Sequence, residues 1–222
     1  MADVIARVNL DLLLTLRGTP VIYNSEEIGM TDLILERFDQ LRNNQAINLY
    51  HFAVGDGIPA EDAVRMAARM SRDRCRTPMQ WANAPNAGFC PAGVQPWLPV
   101  NPNYAQGVNL ADQEADPRSM LNFYRRLLVL RKRTPALIAR GYKPVNEEAQ
   151  DYLAFLRQAD DQACLVVLNM SARPQMAGFA LPPYAAACLF SSHGREGEIV
   201  SLSSLDLQPF EVFIDQIAGG SA

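Results

Sequence analysis

The sequence is poor in the residues that build metal sites and disulfide frameworks. Its 222 residues include four cysteines and two histidines. The cysteines form no C-x-x-C pair, and His51 and His193 lie far apart, so a zinc site is not expected. Cysteines this few and this scattered also argue against a disulfide framework. We therefore predict free thiols, no metal, no cofactor and a reducing compartment, the cytoplasm.

The sequence also lacks a long apolar run and an excess of basic charge. An apolar stretch such as Leu12–Leu14 is far short of the roughly 20 residues that a membrane span needs. Twenty Lys and Arg against 24 Asp and Glu give a net charge of −4, which excludes the basic face of a nucleic-acid binder. Met1-Ala2-Asp3 has none of the basic residues that open a signal peptide. We predict a globular protein that binds neither membranes nor nucleic acid.

The first 70 residues show helical periodicity interrupted by one short apolar segment. Apolar residues recur every four positions over residues 4–16 and predict a helix that ends before Gly18. The run Thr19–Tyr23 predicts a strand buried on both faces, as in a parallel sheet. Two further helices are predicted, one over residues 33–41 and one that opens at Pro59.

Residues 71–117 are rich in proline and predict a long loop, which in a compact domain is usually functional. Asp116-Pro117 is a helix-start signal and predicts a helix that runs to Arg133. Beyond Pro135, short apolar segments alternate with polar turns, and residues 152–168 predict a hairpin. This last region predicts a small β-sandwich or barrel.

Two groups of side chains could carry chemistry. The segment Arg72–Arg76 places arginines around Asp73, which suits either a surface salt-bridge cluster or recognition of sugar hydroxyls. The aromatic residues of the long loop suit either stacking on sugars or anchoring of the loop; they are Trp81, Phe89, Trp97 and Tyr104. We expect a structural role, ion pairing or capping, for Glu26 and Glu27, because neighbours on an extended segment rarely converge.

Several motifs carry a resemblance to a known family. The segment Gly18–Tyr23, followed by Glu26–Met30, resembles the eighth barrel strand of glycoside hydrolase family 13, the α-amylase family. Arg76–Trp81, Asn86–Phe89 and Pro96–Tyr104 are similar to its oligo-1,6-glucosidase and α-glucosidase branch. Trehalose synthases and sucrose isomerases share much of this pattern, which runs over about residues 12–142.

The resemblance implies a fold of class α/β plus all-β. Residues 1–135 would be the C-terminal portion of a TIM-barrel catalytic domain, with its last strand, long βα loop and last helix. Residues 136–222 would form a C-terminal β-sandwich domain. Because the neighbours of the last barrel strand have no counterpart in the sequence, we expect self-association through the incomplete barrel.

The resemblance implies an activity on α-glucosides or oligosaccharides with retention of configuration. In the family the three catalytic carboxylates lie on earlier barrel strands, and no segment here matches them. No catalytic residue is therefore assigned, and the chain alone is expected to be inactive. The alternatives are a non-catalytic carbohydrate-binding or structural module, and a half that complements a separate N-terminal half.

By the same resemblance, an arginine of the Arg72–Arg76 segment binds the terminal glucose. Arg76 is the first candidate because it directly precedes the family's Thr-Pro-Met-Gln-Trp signature, and Asp73 and Arg72 follow it. The sequence departs from the family at three places. Asn24-Ser25 replace Tyr-Gly, Ala82 replaces Asp, and Cys90 replaces Ser.

Overall fold

The structure is a computed structural model that describes residues 2–146, 148, 150–182 and 185–218. In chain order the helices are α1 (Ala2–Thr15), α2 (Asn44–Gly55), α3 (Ala60–Met70), α4 (Leu110–Ala115), α5 (Met120–Arg133) and α6 (Pro135–Ile138). The strands are β1 (Gly141–Pro144), β2 (Tyr152–Gln158), β3 (Gln162–Asn169), β4 (Gln175–Ala177), β5 (Ala185–Ser191), β6 (Ile199–Ser201), β7 (Leu205–Leu207) and β8 (Val212–Ala218).

The chain divides into two compact units. One contains residues 1–22 and 122–222 and is called the sheet unit; the other contains residues 23–121 and is called the loop unit. This division differs from the boundary at residues 135–136 expected from the sequence, and the division into domains stays a prediction.

The sheet unit is built on antiparallel strands. Six of them form one sheet in the order β1-β2-β3-β8-β5-β6, and β4 pairs with β7 in a second sheet. The predicted hairpin is confirmed: β2 pairs with β3, and the turn is closed by the N–H of Ala159, which donates to the carbonyl of Gln162 at 2.8 Å. Buried side chains of both sheets share one apolar cluster that includes Leu165, Leu207 and Phe213. Burial of these apolar side chains is the main stabilising term of the unit.

Helices cover part of the six-stranded sheet. Helix α1 packs against β3, and α6 packs against β2 and β3. Phe123 of α5 is fully buried and meets Phe190 edge to face, with ring centroids 5.4 Å apart. The buried guanidinium of Arg157 donates to the carbonyl oxygens of Thr15, Ala139 and Gly141. Arg157 thus satisfies the C-terminal end of α1 and the segment between α6 and β1.

The loop unit contains little regular structure besides α2, α3 and the short helix α4. Helix α3 follows Pro59, as predicted, whereas the helix expected over residues 33–41 is wrong. That segment holds only a 3₁₀ turn, Phe38–Gln40, and the helix begins at Asn44 instead. The reason is a cap: the side chain of Asn43 accepts a hydrogen bond from the N–H of Ala46 at 3.1 Å.

Two other expectations are wrong in detail. Residues 19–23 do not form a strand, and Val21 is 80% exposed, because no described residue pairs with this segment as a parallel strand requires. Helix α5 begins at Met120 rather than after Asp116, because Asp116 ends α4. The carboxylate of Asp116 accepts a hydrogen bond from the N–H of Arg118 at 2.9 Å, which stabilises a turn between α4 and α5.

None of the helices in the described part of the chain is long and apolar enough to span a bilayer. The same residues bring together no group of three or more His, Cys, Asp or Glu side chains that could hold a metal ion.

Candidate functional site

The Arg72–Arg76 segment forms a tight turn at the end of α3. It is a 3₁₀ turn over Arg72–Cys75, and the hydroxyl of Ser71 caps it by accepting from the N–H of Asp73 at 3.0 Å. The turn leaves the side chains of Arg72, Arg74 and Arg76 exposed and buries Asp73. The turn therefore separates the buried side chain of Asp73 from the exposed side chains of the arginines.

Asp73 directs its carboxylate into the protein. The residue is 2% exposed, and its Oδ2 atom accepts from the N–H of Arg42 at 2.7 Å and from the N–H of Asn43 at 2.8 Å. Such charge-assisted bonds are stronger than neutral ones. The geometry makes Asp73 a positioning residue for the segment that precedes α2, and a contact between Asp73 and a sugar stays a prediction.

The exposed arginines differ in their local partners. Arg74 is held by two contacts, from its Nε to Asp32 at 3.1 Å and from its Nη1 to the carbonyl of Arg69 at 3.1 Å. Neither Arg72 nor Arg76 takes part in an ion pair among the described residues. Arg74 is therefore occupied locally, while Arg72 and Arg76 keep donors available for a ligand.

Tyr23 lies against the same turn. Its hydroxyl donates to the carbonyl of Cys75 at 3.2 Å and also interacts with the side chain of Arg76. Partial burial and the contact with Cys75 raise the pKa of Tyr23, while Arg76 opposes this shift. The phenol is therefore neutral and can donate a hydrogen bond. The motif Gly18–Tyr23 identified this residue only as part of a strand, so its contact with Arg76 was not anticipated.

A cavity of about 220 Å³ lies beside Tyr23, within the loop unit. Its lining includes the side chains of Ser25, Glu26, Thr31 and Asp32. Glu26 has the capping role expected for it, since its Oε2 accepts from the N–H of Tyr23 at 3.1 Å. The recess offers hydroxyl and carboxylate groups next to the phenol oxygen of Tyr23, and such polar groups suit a polyol.

Acid–base catalysis would require a carboxyl group with a raised pKa near this recess. Burial does raise the pKa of two carboxyl groups, Asp11 and Asp215, but both are buried inside the sheet unit. Glu26 is held by the backbone of Tyr23. The described residues give the recess beside the Arg72–Arg76 turn no identifiable acid–base pair, and sugar binding at this turn stays a prediction.

The long loop is anchored by amide side chains and leaves its tryptophans half exposed. Asn101 donates to the carbonyl of Thr31 at 3.0 Å, and Gln113 donates to the carbonyl of Ile28 at 2.8 Å. Trp81 is 47% exposed and Trp97 is 53% exposed. The sequence left two roles open for the aromatic residues, stacking on a sugar and anchoring the loop. The loop is anchored by the amide side chains of Asn101 and Gln113, and no motif in the sequence pointed to them.

A family model and curated proteins match this chain. The model of the α-amylase catalytic domain matches residues 3–141. The glucan 1,6-α-glucosidase of Streptococcus pneumoniae is 38% identical over 164 residues, which are 74% of this chain and 30% of that protein. The oligo-1,6-glucosidase of Halalkalibacterium halodurans is 34% identical over 203 residues, 90% of this chain and 35% of that protein.

Solved structures also resemble this chain. The trehalulose synthase of Pseudomonas mesoacidophila superposes with a TM-score of 0.83 and 33% identity, over 96% of this chain and 38% of that one. The chain thus spans about a third of the length of the curated relatives that it matches. The match covers the Arg72–Arg76 turn and Tyr23.

Proposed function

The chain belongs to glycoside hydrolase family 13, the α-amylase family, in its oligo-1,6-glucosidase and α-glucosidase branch, and on that premise we propose that it is the sugar-binding C-terminal part of a retaining α-glucosidase. Its substrates are α-linked glucosides of the kind that an oligo-1,6-glucosidase cleaves. The observation that carries the proposal is the position of Arg76. Its guanidinium is exposed and contacts the phenol of Tyr23, while the neighbouring Asp73 and Arg74 are occupied by other partners.

The role of these residues is binding and orientation of the sugar. Retaining glycosidases cleave by double displacement, with one carboxylate as nucleophile and a second carboxyl group as acid and base. We assign neither role to a residue of this chain. Arg76 donates to hydroxyls of the terminal glucose, Arg72 adds a second donor, and Tyr23 lies beside Arg76. The chain alone is therefore inactive.

A hydrolysis assay tests the inactivity. We expect no release of glucose from isomaltose or maltose, and no nitrophenol from a nitrophenyl α-glucoside, at high protein concentration. Turnover that co-purifies with the chain and disappears in Glu26→Gln or Glu27→Gln would overturn the proposal, because those residues would then be catalytic.

A chimera tests the binding role. In it, this chain replaces the matching third of the Halalkalibacterium halodurans oligo-1,6-glucosidase. Arg76→Ala should lower kcat/KM by one to two orders of magnitude, since a lost charge-assisted hydrogen bond costs about 1.5–3 kcal/mol. Arg74→Ala is the matched control and should change kcat/KM less than threefold. Equal losses in the two variants would contradict the assignment of Arg76.

A second candidate function is that of a half that associates with another polypeptide, or with a further copy, through residues 19–23. The exposed apolar side chains of Val21 and Ile22 favour it. We expect dimers or larger species in light scattering after size exclusion, and a monomer in Val21→Lys. A strict monomer at micromolar concentration in the unmodified chain would exclude association of copies. The free cysteines support a cytoplasmic location for either function.

A further inference from the structure

A groove in the loop unit combines the side chains that recognise carbohydrates, at residues that have no part in the proposed reaction. Its volume is about 370 Å³, and it shares no lining residue with the cavity beside Tyr23. This size is within the range of small-ligand sites. We call it the Trp97 groove; the side chains that matter here are Arg37, Asp39, Arg42, Gln95, Trp97 and Tyr104.

The indole of Trp97 stays in water although its chain neighbour is buried. Trp97 is 53% exposed, whereas Leu98 is fully buried in a core cluster with Leu35 and Leu41. Leu98 and the buried side chain of Asn101 fix the loop on the C-terminal side of the indole. A large aromatic side chain held at the surface by a rigid loop is a ready stacking surface, and its electron-rich face suits the C–H groups of a sugar ring.

Arg37 and Asp39 place hydrogen-bond donors next to acceptors in the same groove. The Nε of Arg37 donates to Oδ1 of Asp39 at 2.9 Å, and Nη2 donates to Oδ2. The hydrogen bond to Arg37 holds the pKa of Asp39 below its usual value, so the carboxylate is charged and accepts only. Both side chains are more than 60% exposed, so their pairing contributes little to stability. Their free donor and acceptor positions match adjacent hydroxyls of a sugar.

The groove contains two guanidinium groups and one carboxylate. Arg37 pairs with Asp39, and the Nη1 of Arg42 donates to the carbonyls of Asp39 at 2.6 Å and of Leu41 at 3.0 Å, so both arginines already have partners. The carboxylate of Asp39 repels anions and accepts hydrogen bonds from hydroxyl groups, which favours a polyol.

The segment that carries these residues is fixed before any ligand arrives. Phe38 packs against Tyr50 with ring centroids 4.3 Å apart and the rings tilted by 32°, and it meets His51 edge to face. The carboxylate of Asp73 accepts from the N–H groups of Arg42 and Asn43. A preformed groove loses less conformational entropy when it binds a ligand.

We propose that the Trp97 groove is an accessory binding site for neutral gluco-oligosaccharides, in which Trp97 stacks on one ring and Arg37, Asp39 and Arg42 bind its hydroxyls. The preference for α-linked glucans rests on the proposed function, whereas recognition of a polyol rests on the groove itself. The site holds a substrate chain on the enzyme away from the bond that is cleaved.

The sequence contains only two tryptophans, which gives a direct test. In Trp81→Phe, Trp97 is the sole indole and reports on its own surroundings. We expect maltotetraose or isomaltotetraose to change its fluorescence saturably, with a Kd of about 0.1–5 mM. No saturable change up to about 20 mM of either sugar would overturn the proposal.

Variants locate the binding. By calorimetry, Trp97→Ala should weaken binding at least tenfold and Arg37→Ala about fivefold or more. Arg65→Ala is the matched control, because Arg65 forms an exposed ion pair of the same kind on α3, with Asp62, and should leave the affinity unchanged. Equal affinity in Trp97→Ala and the unmodified chain would contradict the proposal.

A measurement on the unmodified chain covers the case in which Trp97→Ala fails to fold. Bound oligosaccharide should slow oxidation of Trp97 by N-bromosuccinimide severalfold and leave Trp81 unprotected, as read by peptide mass spectrometry; equal rates with and without sugar would reject the site. Inorganic phosphate should not compete, and protection of Trp97 by phosphate but not by sugar would identify an anion site instead. The chimera described above separates the two hypotheses. If it is fully active but its Trp97 groove binds no oligosaccharide, the accessory site is rejected and the proposed function stands. If it binds oligosaccharide in the groove but has no activity, the proposed function is rejected and the accessory site stands.

Discussion

In the sheet unit the buried carboxyl groups of Asp11 and Asp215 have no hydrogen-bond partner among the described residues, whereas in the loop unit the buried carboxylate of Asp73 accepts two backbone N–H groups. The sheet unit is held by apolar side chains on paired strands, and burial among them raises the pKa of both Asp11 and Asp215, which favours the neutral acid. Few backbone groups of the loop unit are paired in helices or strands. Polar side chains such as Asp73 and Asn101 form hydrogen bonds with these backbone groups instead, and each bond fixes a particular segment.

The largest expected effect is a pH dependence that arises in the sheet unit. Burial raises the pKa of Asp215 to about 7, against about 3.9 in an unfolded chain. The folded state then binds the proton more tightly, so stability is highest at low pH and falls as pH rises from about 4 to about 7. The shift corresponds to a loss of about 4 kcal/mol in the free energy of unfolding by pH 8.

Urea unfolding at a series of pH values measures this loss. Asp215→Asn should reduce the decline between about pH 4 and 7, whatever its effect on the absolute stability, and the raised pKa of the buried Asp11 accounts for the decline that remains. Asp161→Asn, in the exposed turn between β2 and β3, is the control and should keep the decline. A flat profile in the unmodified chain would mean that Asp215 is not a buried neutral acid.

The next effect is a loss of order in the loop unit. Asp73→Asn removes the charged acceptor from the N–H groups of Arg42 and Asn43, and we expect it to lower the free energy of unfolding by about 2–3 kcal/mol. Hydrogen exchange should accelerate over residues 38–50 and stay unchanged in β2 and β3. Asp32→Asn, which removes an exposed ion pair with Arg74, should cost less than about 1 kcal/mol.

If Asp73→Asn accelerates hydrogen exchange equally in both units, the two units unfold together. The different environments of their buried carboxyl groups would then not make one unit less stable than the other. If exchange accelerates only over residues 38–50, the Asp73→Asn variant should also bind oligosaccharide more weakly in the Trp97 groove. The reason is that Asp73 fixes the segment that carries Arg42.

The sequence predicted the sheet unit better than the loop unit, and the reason is physical. Two apolar runs separated by a short polar turn predicted the β2–β3 hairpin, because these signals lie within one continuous stretch of sequence. The start of α2 depends on Asp73, which lies 30 residues from Asn43, and no local pattern reports such a bond. Residues 19–23 have the composition of a buried strand, but a strand also needs partners, and composition does not encode them. For the site, the motif identified Arg76, while the inward direction of Asp73 required coordinates.

The smallest effect concerns a departure from the family in the loop unit. Ser25 stands where the family has glycine, and its backbone is left-handed, with φ of 82°. A side chain in that region costs about 1 kcal/mol, since its Cβ crowds the following carbonyl. Ser25→Gly should therefore stabilise the chain by about 0.5–1 kcal/mol, even though the hydroxyl that accepts from the side-chain amide of Asn24 at 3.0 Å is lost. Ser25→Ala loses the same hydroxyl and keeps the Cβ, so it should destabilise, and chemical denaturation separates the two signs. If both substitutions destabilise equally, the hydroxyl outweighs the backbone strain, and this departure stabilises the loop unit as it stands.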